Sequence, residues 1–351
     1  MAKGTILDHE RIVRTDPKTG RSVLQLTSFP VMSAAPYYGL NAFVRGGQSL
    51  CFWSQRAASR DAPSDLWRVN VDGSELTQMT DDHGLTGLAV AWDGSFVWLV
   101  RAGRLCRMDP ETLREEEVCA VEGVGPEVRI FAALSREGRY YFAQTMPAKG
   151  EPALLRCATD GSGTVVLRRG RNVRMHWSAT NAGRDLLCLF QKRGAEWHLV
   201  STDYDGENER HLGRNVFAHS TWLHSTERVQ GCGLPPVRAL LTQGPEERRP
   251  RTVCSGPYFW HSASSRDGEW IVADTNWPNE GLYLVHVPSG RFALLCQPGA
   301  SCGHPQWTHP HPFFTPDGAS VVYQSDATGV TQLYIIRIPD HLRRRLATGK
   351  A

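Results

Sequence analysis

A run of about 18 unbroken apolar residues, the length a membrane-spanning helix needs, occurs nowhere in this sequence of 351 residues. Charge of one sign is also lacking: 39 Lys plus Arg face 36 Asp plus Glu, a formal net charge of +3. That near balance excludes nucleic-acid binding driven by bulk charge, and it excludes a strongly acidic disordered chain. No apolar stretch follows the early Lys3, so neither a secretory leader nor a membrane anchor is expected. Nine cysteines are present without a single Cys-x-x-Cys pair. They read as reduced thiols, mostly buried in strands, in a reducing compartment.

What the sequence has in abundance is turns and short apolar runs, with 33 Gly, 21 Pro and 11 Trp. Segments such as LWRVNVDGSELTQMT and FFTPDGASVVYQS read as antiparallel hairpins joined by Asp-Gly turns. One turn type recurs with its last Gly at Gly47, Gly94, Gly138, Gly183, Gly268 and Gly318. The spacings are 44 to 50 residues except for one of 85, and STERVQG near Thr226 supplies a Gly-free turn halfway along that gap. Seven periods of four short strands predict an all-β, seven-bladed β-propeller filling residues 1–351 as one domain, with blades over about 21–339. The last repeat supplies only three strands. The N-terminal GRSVLQLTS is therefore expected to complete it and close the ring, leaving the remaining N-terminus and the HLRRR tail as solvated ends.

In such a ring the first strand of each blade lines the channel, so equal offsets before the turn predict equal heights. Seven residues back lie Leu40, Gly87, Phe131, His176, His219, His261 and His311, which places His at one height in four consecutive blades. Nine residues back lie Tyr38, Leu85, Arg129, Arg174, Phe217, Phe259 and His309, expected on the same strand face. Blade seven adds His304 and Gln306, with Pro310 expected to hold an extended strand between His309 and His311. Imidazoles and an amide oxygen suit a divalent transition metal rather than Ca, and the cluster contains no Cys of the kind a structural zinc site uses. With no carboxylate in these columns, the bound ion is expected to keep its full charge and attract an anionic substrate. His176, Arg174 and Arg129 are candidates to hold that substrate. His219, with no second His beside it, is the candidate base. Trp53, Trp67, Trp92 and Trp98 are assigned to blade packing.

The Gln-x-x-His-Pro-His run of blade seven, followed by FFTPDG and QLYIIRIP, resembles the oligogalacturonate lyase family, and the opening TDPKTGRSVLQLTSFP and LWRVNVDGSELTQMT are similar to its N-terminal blades. The resemblance implies a cytoplasmic, Mn-dependent propeller that breaks short uronide chains from pectin by β-elimination. It implies metal ligands at His261, Gln306, His309 and His311 and a base at His219. The family's His-Glu-Gly-Pro segment and catalytic Arg are replaced here by LFQKRG and Glu196, so Arg129, Arg174, Lys192 and Arg193 are candidates for the lost cation. Two other readings stay open at this level. One is a lyase of the same fold acting on another acidic glycoside; the other is a non-catalytic propeller that binds a glycan or a protein. A Ser-His-Asp hydrolase ranks last, because no Gly-x-Ser-x-Gly elbow is expected and propellers of that type usually carry a separate hydrolase domain.

Overall fold

Several of the hairpins turn at an Asp-Gly corner, which offers both a left-handed glycine and a side chain that caps the turn. Gly94 and Gly318 have φ of 75° and 69°. The carboxylates ahead of them accept backbone N–H groups two residues on, Ser95 N to Asp93 at 2.9 Å and Ala319 N to Asp317 at 2.9 Å. The computed structural model describes residues 1–56, 64–121, 124, 128–147, 149–224, 226–304 and 306–350, with the side chain of Arg129 outside that set.

Seven antiparallel sheets result, five of them meanders of four consecutive strands, while the first and last blades also take in strands from the N-terminal segment. Blades two to six run inward to outward in chain order and begin at Leu85–Val90, Arg129–Leu134, Val173–Thr180, Phe217–Leu223 and Phe259–Ser264. The Gly-free turn expected near Thr226 exists: Thr226 N donates to Leu223 O between the strands Phe217–Leu223 and Arg228–Gly233, and Ser225 lies outside the described residues. Closure follows the expected route. Ser22–Gln25 pairs with Gln332–Arg337, joining the N-terminal strand to the last blade.

Both chain ends depart from the expectation of solvated tails. Ile6–His9 adds an outer strand to blade one beside Ser74–Gln78, and Ile12–Thr15 adds one to blade seven beside Ser22–Gln25. The HLRRR segment is part of a helix, Asp340–Thr348, whose Leu342 and Leu346 are buried four residues apart on one face. Arg343 lies over the Trp270 ring and donates to Gly318 O. The apolar core is divided among the blade interfaces; its largest part joins blades one, six and seven with this helix. Trp67 and Trp98 are buried there and between blades two and three, as packing residues should be.

The channel is not left open. Between Ser33–Ala34 and Phe43–Val44 the chain of blade one crosses the ring to blades four and five. Ser178 Oγ donates to Gly39 O at 2.9 Å, and a Cβ on Gly39 would stand 2.7 Å from Ser178 Cβ and 3.1 Å from Thr221 Cγ2. Glycine is required there by close approach rather than by backbone angle. Asn41 Nδ2 donates to the carbonyls of Phe43 and Ala91 and anchors the far end of the crossing. The turn spacing gave no sign of this plug.

Candidate functional site

The inner strands of blades five and six are irregular where they carry histidine. Pairing with the second strand shifts register between Phe217 and His219, and again between Phe259 and Ser262. A bulge breaks strict alternation and re-aims side chains. Phe217 and Phe259 are accordingly buried in the cores between blades and do not share the face of His219 and His261. That corrects the nine-residue column in these two blades. In blade seven the inner strand is only Phe313–Phe314, so His309 and His311 precede it and no extended strand runs through Pro310. His311 instead has φ of 46°, a left-handed conformation that costs energy for a residue with a Cβ and is often held at functional sites.

The rings meet all the same. His261 has its centroid 4.1 Å from His311, 5.2 Å from His309 and 4.2 Å from His219, while His309 and His311 are 6.1 Å apart. Tyr38, delivered by the plug, stacks on His311 at 5.5 Å and meets His261 edge-on at 5.6 Å. Its hydroxyl accepts from Tyr37 at 2.8 Å.

Behind this cluster lies Asp274, 1% exposed, from the second strand of blade six. Its carboxylate accepts His261 N at 2.7 Å and His311 N at 3.2 Å, and Oδ2 lies 2.9 Å from His261 Nδ1. The expectation that no carboxylate offsets the site is therefore overturned. Asp274 was invisible to a column count because it sits on the neighbouring strand, thirteen residues beyond His261; a carboxylate in the otherwise apolar run WIVAD was the available signal. Burial pushes the Asp274 carboxyl up to about 6, with the neighbouring imidazoles acting in the opposite direction. Burial also pushes His261 and His311 well below their ordinary value, and His219 down to about 4. At neutral pH these three imidazoles are neutral and able to offer lone pairs.

Among the described residues no three His, Cys, Asp or Glu donors already converge on one ion-sized point, so the rings are adjacent rather than closed around a centre. Three features nevertheless fit a cation. The donor set is imidazole. His309 Nδ1 is buried without a hydrogen-bond partner among the described residues. His261 is held through Nδ1 by a buried carboxylate, which leaves Nε2 without a partner among the described residues, the arrangement that carboxylates impose on metal-binding histidines. Gln306 lies on an exposed turn; His304 Nδ1 accepts the N–H groups of Gln306 and Trp307, so His304 shapes this turn and does not join the cluster. Gln324 Nε2 donates to the carbonyls of Gln306 and Trp307 and lies 3.2 Å from His311 Nδ1, tying the turn to the cluster.

His219 is half-buried, and its ring makes no hydrogen bond among the described residues. His176 shares its column but not its environment: it is 2% exposed, with Nε2 2.9 Å from Ser220 Oγ and Nδ1 accepting Ser178 N at 3.1 Å. No ring nitrogen remains for a substrate, so His176 belongs to the core. Arg174 is exposed, lies over Trp197 at 5.0 Å and meets no carboxylate among the described residues. Arg129 opens its strand, and its side chain lies outside the described residues. Glu196 and Arg193 flank the hairpin tip of blade four; Glu196 pairs with Arg214 at 3.1 Å and Arg193 with Glu209 at 3.0 Å. Lys192 is exposed and meets no carboxylate among the described residues.

One Gly-x-Ser-x-Gly pattern does occur, at Gly299–Gly303. It lies in an irregular segment, and Ser301 donates to Asp326 at 2.5 Å, so it makes no strand-to-helix nucleophile elbow.

No protein-family model matches the chain. It is 24% identical to an oligogalacturonate lyase of Dickeya dadantii and 22% identical to an oligogalacturonide lyase of Pectobacterium atrosepticum; each match covers 97% of this chain and 99% of the relative. Among solved structures it is similar to an oligogalacturonate lyase in complex with manganese, with a TM-score of 0.80 at 21% identity over 98% of this chain and all of the other. An oligogalacturonate lyase from Vibrio parahaemolyticus gives a TM-score of 0.79 at 18% identity over 97% of this chain and all of that one. The resemblance first carried by the Gln-x-x-His-Pro-His run thus extends across nearly the whole chain.

Proposed function

We propose that this protein is a metal-dependent lyase that breaks a short, acidic oligosaccharide of the oligogalacturonate type by β-elimination. The observation that carries the proposal is the juxtaposition of His219, its ring free of hydrogen bonds among the described residues, with the His261, His309 and His311 cluster backed by Asp274. His261, His309, His311 and the amide of Gln306 would hold a divalent ion, and the manganese of the similar solved structure supports Mn as that ion. When bound, it supplies a positive charge that offsets a uronate carboxylate and so acidifies the neighbouring C5–H.

The chain's own residues account for the rest. Asp274 fixes the orientation of His261 and tethers His311 through its backbone. Tyr38 and the plug close the channel beneath the cluster, so a sugar can approach only from the open face. His219, held neutral by burial, takes the C5 proton on a free ring nitrogen. The oxygen on C4 then leaves, and a double bond forms between C4 and C5. Arg174 and Lys192, on the same end of blade four as His219 on blade five, meet no carboxylate among the described residues and could assist that oxygen.

The nine unpaired cysteines support action in a reducing, cytoplasmic compartment, and no described helix is long and apolar enough to cross a membrane. The test is purified protein with Mn on a panel of uronides, followed by the ultraviolet absorbance of unsaturated product. His219→Ala should lower turnover by a factor on the order of a hundred or more while metal content stays near wild type. Metal lost together with turnover would make His219 a ligand and overturn its assignment as base.

A further inference from the structure

Beyond His219, on the same open face, stands a shelf of aromatic rings that the elimination chemistry does not use. Trp260 meets His219 edge-on at 5.1 Å, and Trp277 lies a further ring away, 5.1 Å from Trp260. Tyr258 stacks beside Trp260 at 6.3 Å and meets Trp277 at 6.4 Å. Three loops on one face build it: the entry to the inner strand of blade six, the loop after Thr275, and the loop after Gly233 of blade five. Asn276 N donates to Tyr258 O at 3.0 Å and Gly256 N to Arg238 O at 3.1 Å, joining them. Trp277 is 67% exposed, the most exposed Trp among the described residues, and has φ of 49°. A bulky residue held in that region, with its ring in water, costs energy that packing does not return. Beside it, Asn276 is 2% exposed and its side-chain nitrogen has no hydrogen-bond partner among the described residues. The Arg238 guanidinium lies 5.7 Å from the Tyr258 ring and meets no carboxylate among the described residues.

We propose that this shelf is a specificity subsite for a third uronate residue, whose apolar face packs on Trp277 while its carboxylate pairs with Arg238. The proposal rests on the lyase reading above. A galacto-configured pyranose carries the hydrogens of C3, C4 and C5 on one face, a patch that an indole can cover, and leaves its carboxylate at the ring edge for a cation. Order along the face sets the length preference. Trp260 borders the sugar next to the base, and Trp277 is reached only by the residue after it, so a trimer engages the shelf fully and a dimer does not.

The experiment compares kcat/KM for digalacturonate and trigalacturonate in Mn-loaded wild type, Trp277→Ala, Trp277→Phe and Arg238→Gln, with melting curves for each. Wild type should prefer the trimer. Trp277→Ala should lower the trimer-to-dimer ratio about tenfold, Arg238→Gln should lower it in the same sense, and Trp277→Phe should retain most of it. No trimer preference in wild type, a ratio unchanged in both Trp277→Ala and Arg238→Gln, or an equal loss on both substrates would overturn the subsite. If wild type forms no unsaturated product from either substrate, the lyase reading fails instead, and tryptophan fluorescence then judges the shelf alone. Saturable quenching by trigalacturonate, weakened about tenfold in Arg238→Gln, supports it; no saturable change overturns it.

Discussion

Blades four and six carry histidines at the same height on their inner strands, and the two have opposite fates. His176 spends both ring nitrogens inside the protein, on Ser220 Oγ and Ser178 N, and is a core residue. His261 is equally buried, but its one protein partner is a carboxylate on Nδ1, and the other nitrogen is left toward His309 and His311. Height in the ring therefore does not decide role. What decides it is whether the histidine's own strand and the neighbouring blade offer an N–H and a hydroxyl that satisfy the ring, or the next strand offers an Asp that orients it.

The largest expected difference comes from deleting each ring. His261→Ala should abolish metal retention and turnover, as the double change of His309 and His311 should. His176→Ala should leave metal content near wild type and lower stability by about 2–4 kcal/mol, because it opens a cavity and strands Ser220 Oγ. Elemental analysis and a denaturant melt on the two variants check this, and loss of metal from the His176 variant would erase the distinction. Asp274→Asn sharpens it. Removing the charge behind His261 while keeping the shape should weaken Mn affinity about 10–100-fold, read by titration of the apoprotein. Unchanged affinity would show that Asp274 only buttresses the fold.

The legible part of this molecule is what repeats. The turn spacing counted the blades because each blade must reverse the chain with the same corner, and four histidines stood out because a shared offset means a shared height. What escaped is whatever crosses between repeats. Asp274 acts on His261 from the next strand, the plug reaches from blade one to Ser178 and Thr221, and bulges turn Phe217 and Phe259 away from a face that simple alternation assigned to them. His311 reaches the cluster through a left-handed backbone that no strand pattern encodes. The C-terminal helix was legible and misread: Leu342 and Leu346 stand one turn apart, which the count of basic residues between them obscured.

The plug gives a third way to sharpen the contrast, since it lies against the blade-four side of the column. Gly39→Ala places a Cβ 2.7 Å from Ser178 Cβ, whose backbone N–H holds His176. We expect a loss of about 1–3 kcal/mol, seen as a lower melting temperature, because side chains on both sides are fixed by packing. An unchanged melting temperature would mean that the crossing segment shifts freely and does not seal the channel.

The smallest effect comes from a carboxylate that belongs to neither histidine and so serves as the reference for acid sensitivity. Glu247, on the outer side of blade five, accepts both guanidinium nitrogens of Arg228 at 2.8 Å and pairs with Arg251 at 2.5 Å. The Arg228 hydrogen bonds, aided by the Gly244 N–H, hold its carboxyl down at about 2. A carboxyl lowered in the folded state binds its proton more readily when unfolded. Its stabilising contribution is therefore complete above the ordinary value of 4.5 and is lost as pH falls toward 2. Glu247→Gln should accordingly be less stable than wild type at pH 6 and converge on it near pH 2, with the metal site untouched at neutral pH. Chemical denaturation of both proteins across that range reads the difference directly. A gap that stayed constant with pH would show that shape rather than charge ties Glu247 to Arg228, and that the acid sensitivity of the fold resides elsewhere, with Asp274 at the histidine cluster as the first place to look.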